Sequence, residues 1–347
     1  MENSSQEQPG GASDALPRPR RRVTHPVPPE GTGGFSRTWL PVCQSADVAA
    51  GEVVGRDFLD GRVVVVRSAS GDVSVMSAYC PHLGADLSLG TVLGDGLRCA
   101  FHHFRFDLGG RCTATGSGDP IPKHAELFAF PTVERCGIVW AFNGVEAAWE
   151  LPNFDVAGDD LVIRRFPPVT LHCDPWAVIA NTADFQHFRF LHGFEFDFDA
   201  VASAYEWRDN GLSADLSATL PDRHSAVAVR YRVTHYGTNM TTVRATIDGN
   251  EARLLIGLGI PRVGETEIYT VVAAERGDGS DAALAAADAV LDQLSGVFGL
   301  MGEEDNPILD TAHFMPGAMT ATDRQLVHFL QYVRAYPRQH PSAAFIR

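Results

Sequence analysis

Cys80-Pro81-His82-Leu83-Gly84-Ala85-Asp86-Leu87, and then Cys99-Ala100-Phe101-His102, decide the reading of this 347-residue chain. Each stretch carries one thiol and one imidazole a few positions apart. A structural zinc site takes the same donor atoms, but its usual order groups Cys with Cys and His with His. Here each short loop can give one ligand to each of two metal ions. That is the donor set of a [2Fe–2S] centre in which two Cys hold one iron and two His the other. Cys80, His82, Cys99 and His102 are the expected cluster ligands, with zinc as the alternative.

The flanking residues extend the pattern. Together with the two loops, Phe106-Asp107-Leu108-Gly109-Gly110-Arg111-Cys112, Ile121-Pro122 and Gly137-Ile138-Val139-Trp140 resemble the Rieske domain of Rieske non-haem iron oxygenases. One departure stands out: that family usually has Gly-Trp after the second ligand His, and this chain has His103-Phe104. His103 is an alternative ligand by position, but the gap from Cys99 to His102 matches the family and the gap to His103 does not. Neutral imidazoles in place of thiolates raise the reduction potential of such a cluster. With every iron position filled, it carries electrons and does not itself activate dioxygen.

A second constellation lies in Asn181-Thr182-Ala183-Asp184-Phe185-Gln186-His187-Phe188-Arg189-Phe190-Leu191-His192. Two His and one carboxylate on one octahedral face leave positions open, the arrangement of non-haem Fe(II) oxygenases. His187 and His192 are the pair. Five residues of ideal helix would set them about 140° apart, so a bulge or a helix end near Gly193 is needed to converge them. An amphipathic helix with surface His and core Phe is the plainer alternative. By resemblance, Asp184 is the acid that bridges this site to a Rieske His of a neighbouring subunit, with Asn181 near it. The third ligand must be distant in sequence. Glu303-Glu304-Asp305-Asn306-Pro307-Ile308-Leu309 resembles the carboxylate-bearing stretch of the ketosteroid-hydroxylase and sterol-desaturase branches, which makes Asp305 the expected ligand and Glu303, Glu304 and Asp310 the alternatives.

The rest of the chain bounds these readings. Apolar residues make up 45% and charged residues 20%, ordinary values for a globular protein. A net charge of −15 argues against a nucleic-acid surface. Six Cys are too few for a disulfide framework, and Cys43, Cys112, Cys136 and Cys173 read as reduced thiols. No signal peptide and no membrane span is evident, so the expected compartment is the cytoplasm. The first 34 residues, rich in Gly, Pro and Ser, read as a disordered leader.

Short β runs such as Val63-Val64-Val65-Val66 and Val73-Ser74-Val75-Met76 follow, giving an all-β Rieske domain over 35–152. Beyond the His segment, Val227, Val229, Tyr231 and Val233 alternate with polar residues, and 253–261 and 267–274 read likewise as strands. Leu284, Ala287, Leu291, Leu294 and Phe298 then recur at helical spacing, leading to Asp305. The fold class is α+β. By resemblance, 153–347 is a helix-grip (START-like) catalytic domain, its antiparallel sheet curved over a cavity walled by residues around 194–200, strands between Leu212 and Val272, and the helix before Asp305. A terminal amphipathic helix over 323–337 closes it.

The resemblance implies the terminal oxygenase of a multicomponent system. Electrons enter at a [2Fe–2S] cluster and pass by Asp184 to a mononuclear Fe(II) that uses O2 on a hydrophobic substrate, aromatic, terpenoid or steroid-like. Hydroxylation, demethylation or desaturation is expected, with cis-dihydroxylation of an aromatic ring and a non-catalytic electron carrier as alternatives. No dinucleotide-binding glycine signature is present, so NAD(P)H acts through a separate reductase, directly or by way of a ferredoxin. A homotrimer is implied by the family.

Overall fold

Antiparallel pairing dominates the computed structural model, which describes residues 26–347 apart from 155, 157, 197–204, 221–227, 248, 249, 315 and 316. In the N-terminal half, Gly61–Arg67 pairs with Val53–Phe58 on one side and Val73–Ser77 on the other, and Ala129–Phe130 completes a four-stranded sheet. Successive strand residues face opposite ways. Val63 and Val65 therefore enter one core with Phe58 and Phe130, while Val64 and Val66 enter another with Cys80, Leu87, Leu97 and Cys99. The unbroken valine run marks a strand covered on both faces. A second four-stranded sheet, Thr91–Leu93, Gly96–Arg98, Arg105–Asp107 and Cys112–Ala114, holds the Cys99–His102 loop between its two middle strands.

The C-terminal half is built on a nine-stranded antiparallel sheet. Its centre runs Thr266–Glu275, Asn250–Gly259, Met240–Ile247, Ala228–Tyr236 and Gly211–Thr219. Two short helices, α1 (Pro175–Ala180) and α2 (Phe185–Phe190), a long helix α3 (Asp281–Leu309) and a terminal helix α4 (Arg324–Ala335) complete it. Period-two alternation divides the sheet. Ala252, Leu254, Val272 and Ala274 face Ala287, Val290, Leu291 and Leu294 of α3, whereas Leu255, Tyr269, Val271 and Ala273 face Trp39, Trp140 and Phe142 of the N-terminal half. Gly257 permits that junction: a Cβ there would meet the Trp140 ring at 2.3 Å. Helix α4 lays Leu326, Phe329, Leu330 and Val333 on α1 and on Leu212 and Leu258 of the sheet.

Three sequence expectations need amendment. The leader expected over 1–34 falls partly outside the described residues, which begin at 26. From there the chain is engaged: Val27 is buried against Trp176, and the buried Glu30 accepts hydrogen bonds from the Ser36 amide (2.9 Å) and hydroxyl (2.6 Å). Nor does the end of the chain stay with the second half. Phe35–Ser36 pairs with Arg338–Gln339, and Ile346 is buried with Val63 and Phe58, because those apolar side chains leave a face of the first sheet uncovered. Finally, among the described residues one helix, α3, is long and apolar enough by length and composition to cross a membrane. Alanines and glycines spread its apolar character over many turns. In this fold its apolar stripe lies on the sheet and its last turns reach the site below. Val227 and the 197–200 part of the expected cavity wall lie outside the described residues.

Candidate metal centres

At the tip of the first half, the two loops bring their donors together in pairs. Cys80 and Cys99 are buried to 3% and 1% exposure, with their sulfurs close enough to interact. His82 and His102 stand exposed beyond them with ring centroids 4.6 Å apart. Thiols inward and imidazoles outward is the polarity a mixed-ligand cluster requires, one iron on each pair. Burial pushes the Cys80 thiol up to about 11, so ligation, which takes the thiolate, displaces a proton. His103, the next residue, has a φ of +58°, a left-handed conformation that costs a side chain roughly 1–2 kcal/mol. The usual glycine of the resembling family is explained at that position. Phe104, in turn, stacks on His82 (4.6 Å, 15°) and is buried.

The second constellation forms where α2 ends. Asp184 caps that helix, its Oδ1 accepting from the Gln186 and His187 amides at 3.1 Å each. The helix stops at Phe190 and Gly193 takes a φ of +73°, so the chain turns back and places His192 beside His187 instead of 140° round a continuing helix. The two Nε2 atoms are 2.9 Å apart, and Asp305 Oδ1, from the end of α3, lies 3.2 Å from each. Donors on one face of an octahedron with bonds of about 2.1 Å are separated by roughly 3.0 Å, against roughly 3.4 Å for a tetrahedron. The observed triangle is nearer the first.

Proton placement makes the same point. His187 Nδ1 lies 3.0 Å from the Asp184 carbonyl and His192 Nδ1 lies 2.7 Å from Glu304 Oε2. A carbonyl and an ionised carboxylate only accept, so both Nδ1 atoms donate. In neutral rings each Nε2 then presents a lone pair, and two lone pairs and a carboxylate oxygen converge on one point. A cation at that point relieves their repulsion. Burial opposes charge on both partners. When no cation is bound, a second proton on Nε2 of either ring nonetheless donates to Asp305 in its place; that donation holds the Asp305 carboxyl down at about 2 and, with Glu304, raises the His192 pKa above its ordinary value. His187, His192 and Asp305 form the single such metal-sized cluster found among the described residues.

The alternatives named from sequence take other places. Asp310 pairs with the exposed His172 at 2.8 Å, and Glu303 lines the cavity. Glu304 touches the far nitrogen of His192, a contact that nothing in the local sequence signals. Within one chain the Asp184 side chain caps α2, and its backbone carbonyl meets the His187 imidazole.

His187 and Asp305 open onto a cavity of about 600 Å³. Its walls are largely apolar, including Phe188, Phe194, Tyr231, Val243, Leu254 and Phe298, with Asn181, Thr182, Thr241, Arg253, Glu303 and Asn306 among its polar positions. Beneath that polar side, His235 is fully buried in a chain of hydrogen bonds. Thr182 donates to the Ile179 carbonyl (2.6 Å), so His235 Nε2–H donates to Thr182 Oγ1 (2.8 Å) and the Thr241 hydroxyl donates to Nδ1 (2.8 Å). Burial lowers the His235 pKa to about 3 and keeps the ring neutral. This prop under the Asn181–Asp184 turn has no sequence signature, since its members are 53 and 6 residues apart.

Comparison with known proteins agrees with the geometry. The model of the Rieske [2Fe-2S] domain matches residues 38–127. Cholesterol 7-desaturase nvd 1 of Ciona intestinalis is 35% identical over 142 residues, 40% of this chain and 29% of that protein. The oxygenase component of chloroacetanilide N-alkylformylase from Rhizorhabdus wittichii is 32% identical over 188 residues, 51% of this chain and 53% of that one. The matches thus span about a third to a half of those relatives' lengths. Among solved structures, NdmA of Pseudomonas putida CBB5 with caffeine superposes with a TM-score of 0.69 at 20% identity, over 86% of this chain and 90% of that one. Residues 38–127 are a Rieske [2Fe–2S] domain, and 86% of the chain shares the fold of NdmA.

Proposed function

We propose that this chain is the terminal oxygenase of a multicomponent Rieske system acting on a hydrophobic small molecule. The observation that carries the reading is the convergence of His187, His192 and Asp305 at the edge of an apolar cavity, in a chain that also has a Rieske domain. An electron carrier needs neither. When bound, the cluster supplies single electrons and the three-ligand iron supplies the open positions at which dioxygen is reduced beside a substrate.

The residues divide the work. Cys80 and Cys99 anchor a cluster inside the fold while His82 and His102 present its other edge outward. Asp184 holds the first turn of α2, and with it His187, in register. The cavity walls exclude water and orient an apolar ring system, and Asn181, among the polar positions, offers hydrogen bonds to a polar group on it. Hydroxylation, demethylation or desaturation fits the Asp305 context better than cis-dihydroxylation. Electrons reach the chain from a separate NAD(P)H-dependent reductase, directly or through a ferredoxin.

Leu83 and Phe101 stand 66% and 60% exposed beside the outward imidazoles, which supports docking of this tip against another copy, as in a closed homotrimer with Asp184 at each junction. Six free cysteines suit the reducing cytoplasm. Anaerobically loaded protein tests the whole: it should hold three irons per chain, and its reduced cluster should reoxidise with dioxygen only when a substrate is bound. Screening neutral ring compounds by mass spectrometry, with a surrogate reductase, would identify the product. Two irons per chain with no dependence of reoxidation on any organic compound would leave an electron carrier.

A further inference from the structure

We infer that Glu304 is a positioning residue, the carboxylate that fixes the tautomer and orientation of His192 for metal binding. The inference rests on the reading of His187, His192 and Asp305 as a metal site. Consecutive carboxylates of α3 take the two nitrogens of one ring: Asp305 Oδ1 lies 3.2 Å from Nε2 and Glu304 Oε2 lies 2.7 Å from Nδ1. The extra methylene of Glu lets it reach the far side of an imidazole that Asp305 meets edge-on. His192 is 0% exposed, so no water substitutes for the contact.

The two histidines are not held alike. His187 gives its Nδ1 proton to a neutral carbonyl, that of Asp184, whereas His192 gives its proton to a carboxylate. A charged acceptor holds the donor more firmly and makes the opposite nitrogen a stronger ligand. It also forbids the other tautomer, in which Nε2–H would point at Asp305 and His187 and close the site. Glu304 therefore selects the ring state whose lone pair faces the metal position, and it adds negative charge behind that ligand.

The test is metal uptake, read apart from turnover. Protein with an intact Rieske cluster, its mononuclear site emptied by chelation, is titrated anaerobically with Fe(II), and separately with Co(II), by equilibrium dialysis. Rieske absorbance in the same samples reports that each variant is folded. Glu304→Leu should bind 10–100-fold more weakly than wild type, the range for loss of such a partner. Glu304→Gln keeps an acceptor for Nδ1–H without the charge and should fall between the two. Affinity in Glu304→Leu within twofold of wild type overturns the assignment, as does Glu304→Gln binding no better than Leu. His187→Ala and Asp305→Ala supply the other arm: wild-type protein that takes up no third metal ion overturns the metal-site reading itself.

Discussion

Acidification offers a direct measure of the buried prop under the site. His235 is fully buried and its pKa is lowered to about 3, whereas the unfolded chain takes a proton there near 6.5. Below pH 6.5 the unfolded state binds more protons than the folded one, so stability falls as pH falls, until about pH 3. Between pH 7 and pH 5 the loss from this one residue is about 2 kcal/mol. The measurement is chemical denaturation followed by tryptophan fluorescence at both pH values, on wild type and His235→Gln. The variant loses the Thr182 and Thr241 contacts and is less stable at pH 7 by about 1–3 kcal/mol. Its further loss on going to pH 5 should be smaller than that of wild type by about 2 kcal/mol, because the titrating group is gone. Groups that titrate in both proteins cancel in this comparison. Equal losses in the two proteins would refute the argument, and so would an imidazole signal of His235 that titrates above pH 5.

Asp305→Ala should retain the Rieske spectrum and lose one iron per chain and all substrate-dependent reoxidation; metal analysis showing loss of cluster iron instead would break the division of ligands. His103→Gly removes left-handed strain but adds unfolded-state freedom, so a gain below about 1 kcal/mol with unchanged cluster absorbance is expected in thermal melts. Bleaching of the cluster in that variant would make His103 a ligand. Gly257→Val drives a side chain into Trp140 and should lower stability by about 1–3 kcal/mol, seen as a lower midpoint and altered near-ultraviolet dichroism. Asp184→Asn keeps a good helix cap, so both centres should load. Reoxidation of the reduced cluster should nonetheless slow greatly in a protein that sediments as a trimer, and normal reoxidation in the variant would remove the bridging role.

The sequence by itself determined what adjacent positions can determine. Cys80 with His82, Cys99 with His102, and Asp184 with His187 are local pairs, and covalent proximity makes their types and spacing legible. Period-two strands and the helical recurrence from Leu284 to Phe298 are equally local, because a half-buried surface imposes its own repeat. The sequence could also say that His187 and His192 cannot share a face of a straight helix, and the end of α2 with a left-handed Gly193 is how the fold converges them. Only the tertiary structure set Glu304, 112 residues away, on the second nitrogen of His192, and tied His235 to the turn before Asp184. In Glu303-Glu304-Asp305 three acids are chemically similar. Which of them meets a histidine depends on the angle at which α3 lies across the sheet, and that angle is set by Ala287, Leu291 and Leu294 packing on strands far off in the chain. Val27 and Ile346 illustrate the same limit: their sequences have no periodicity to read, and they are buried because distant elements leave an apolar face that only the folded chain presents.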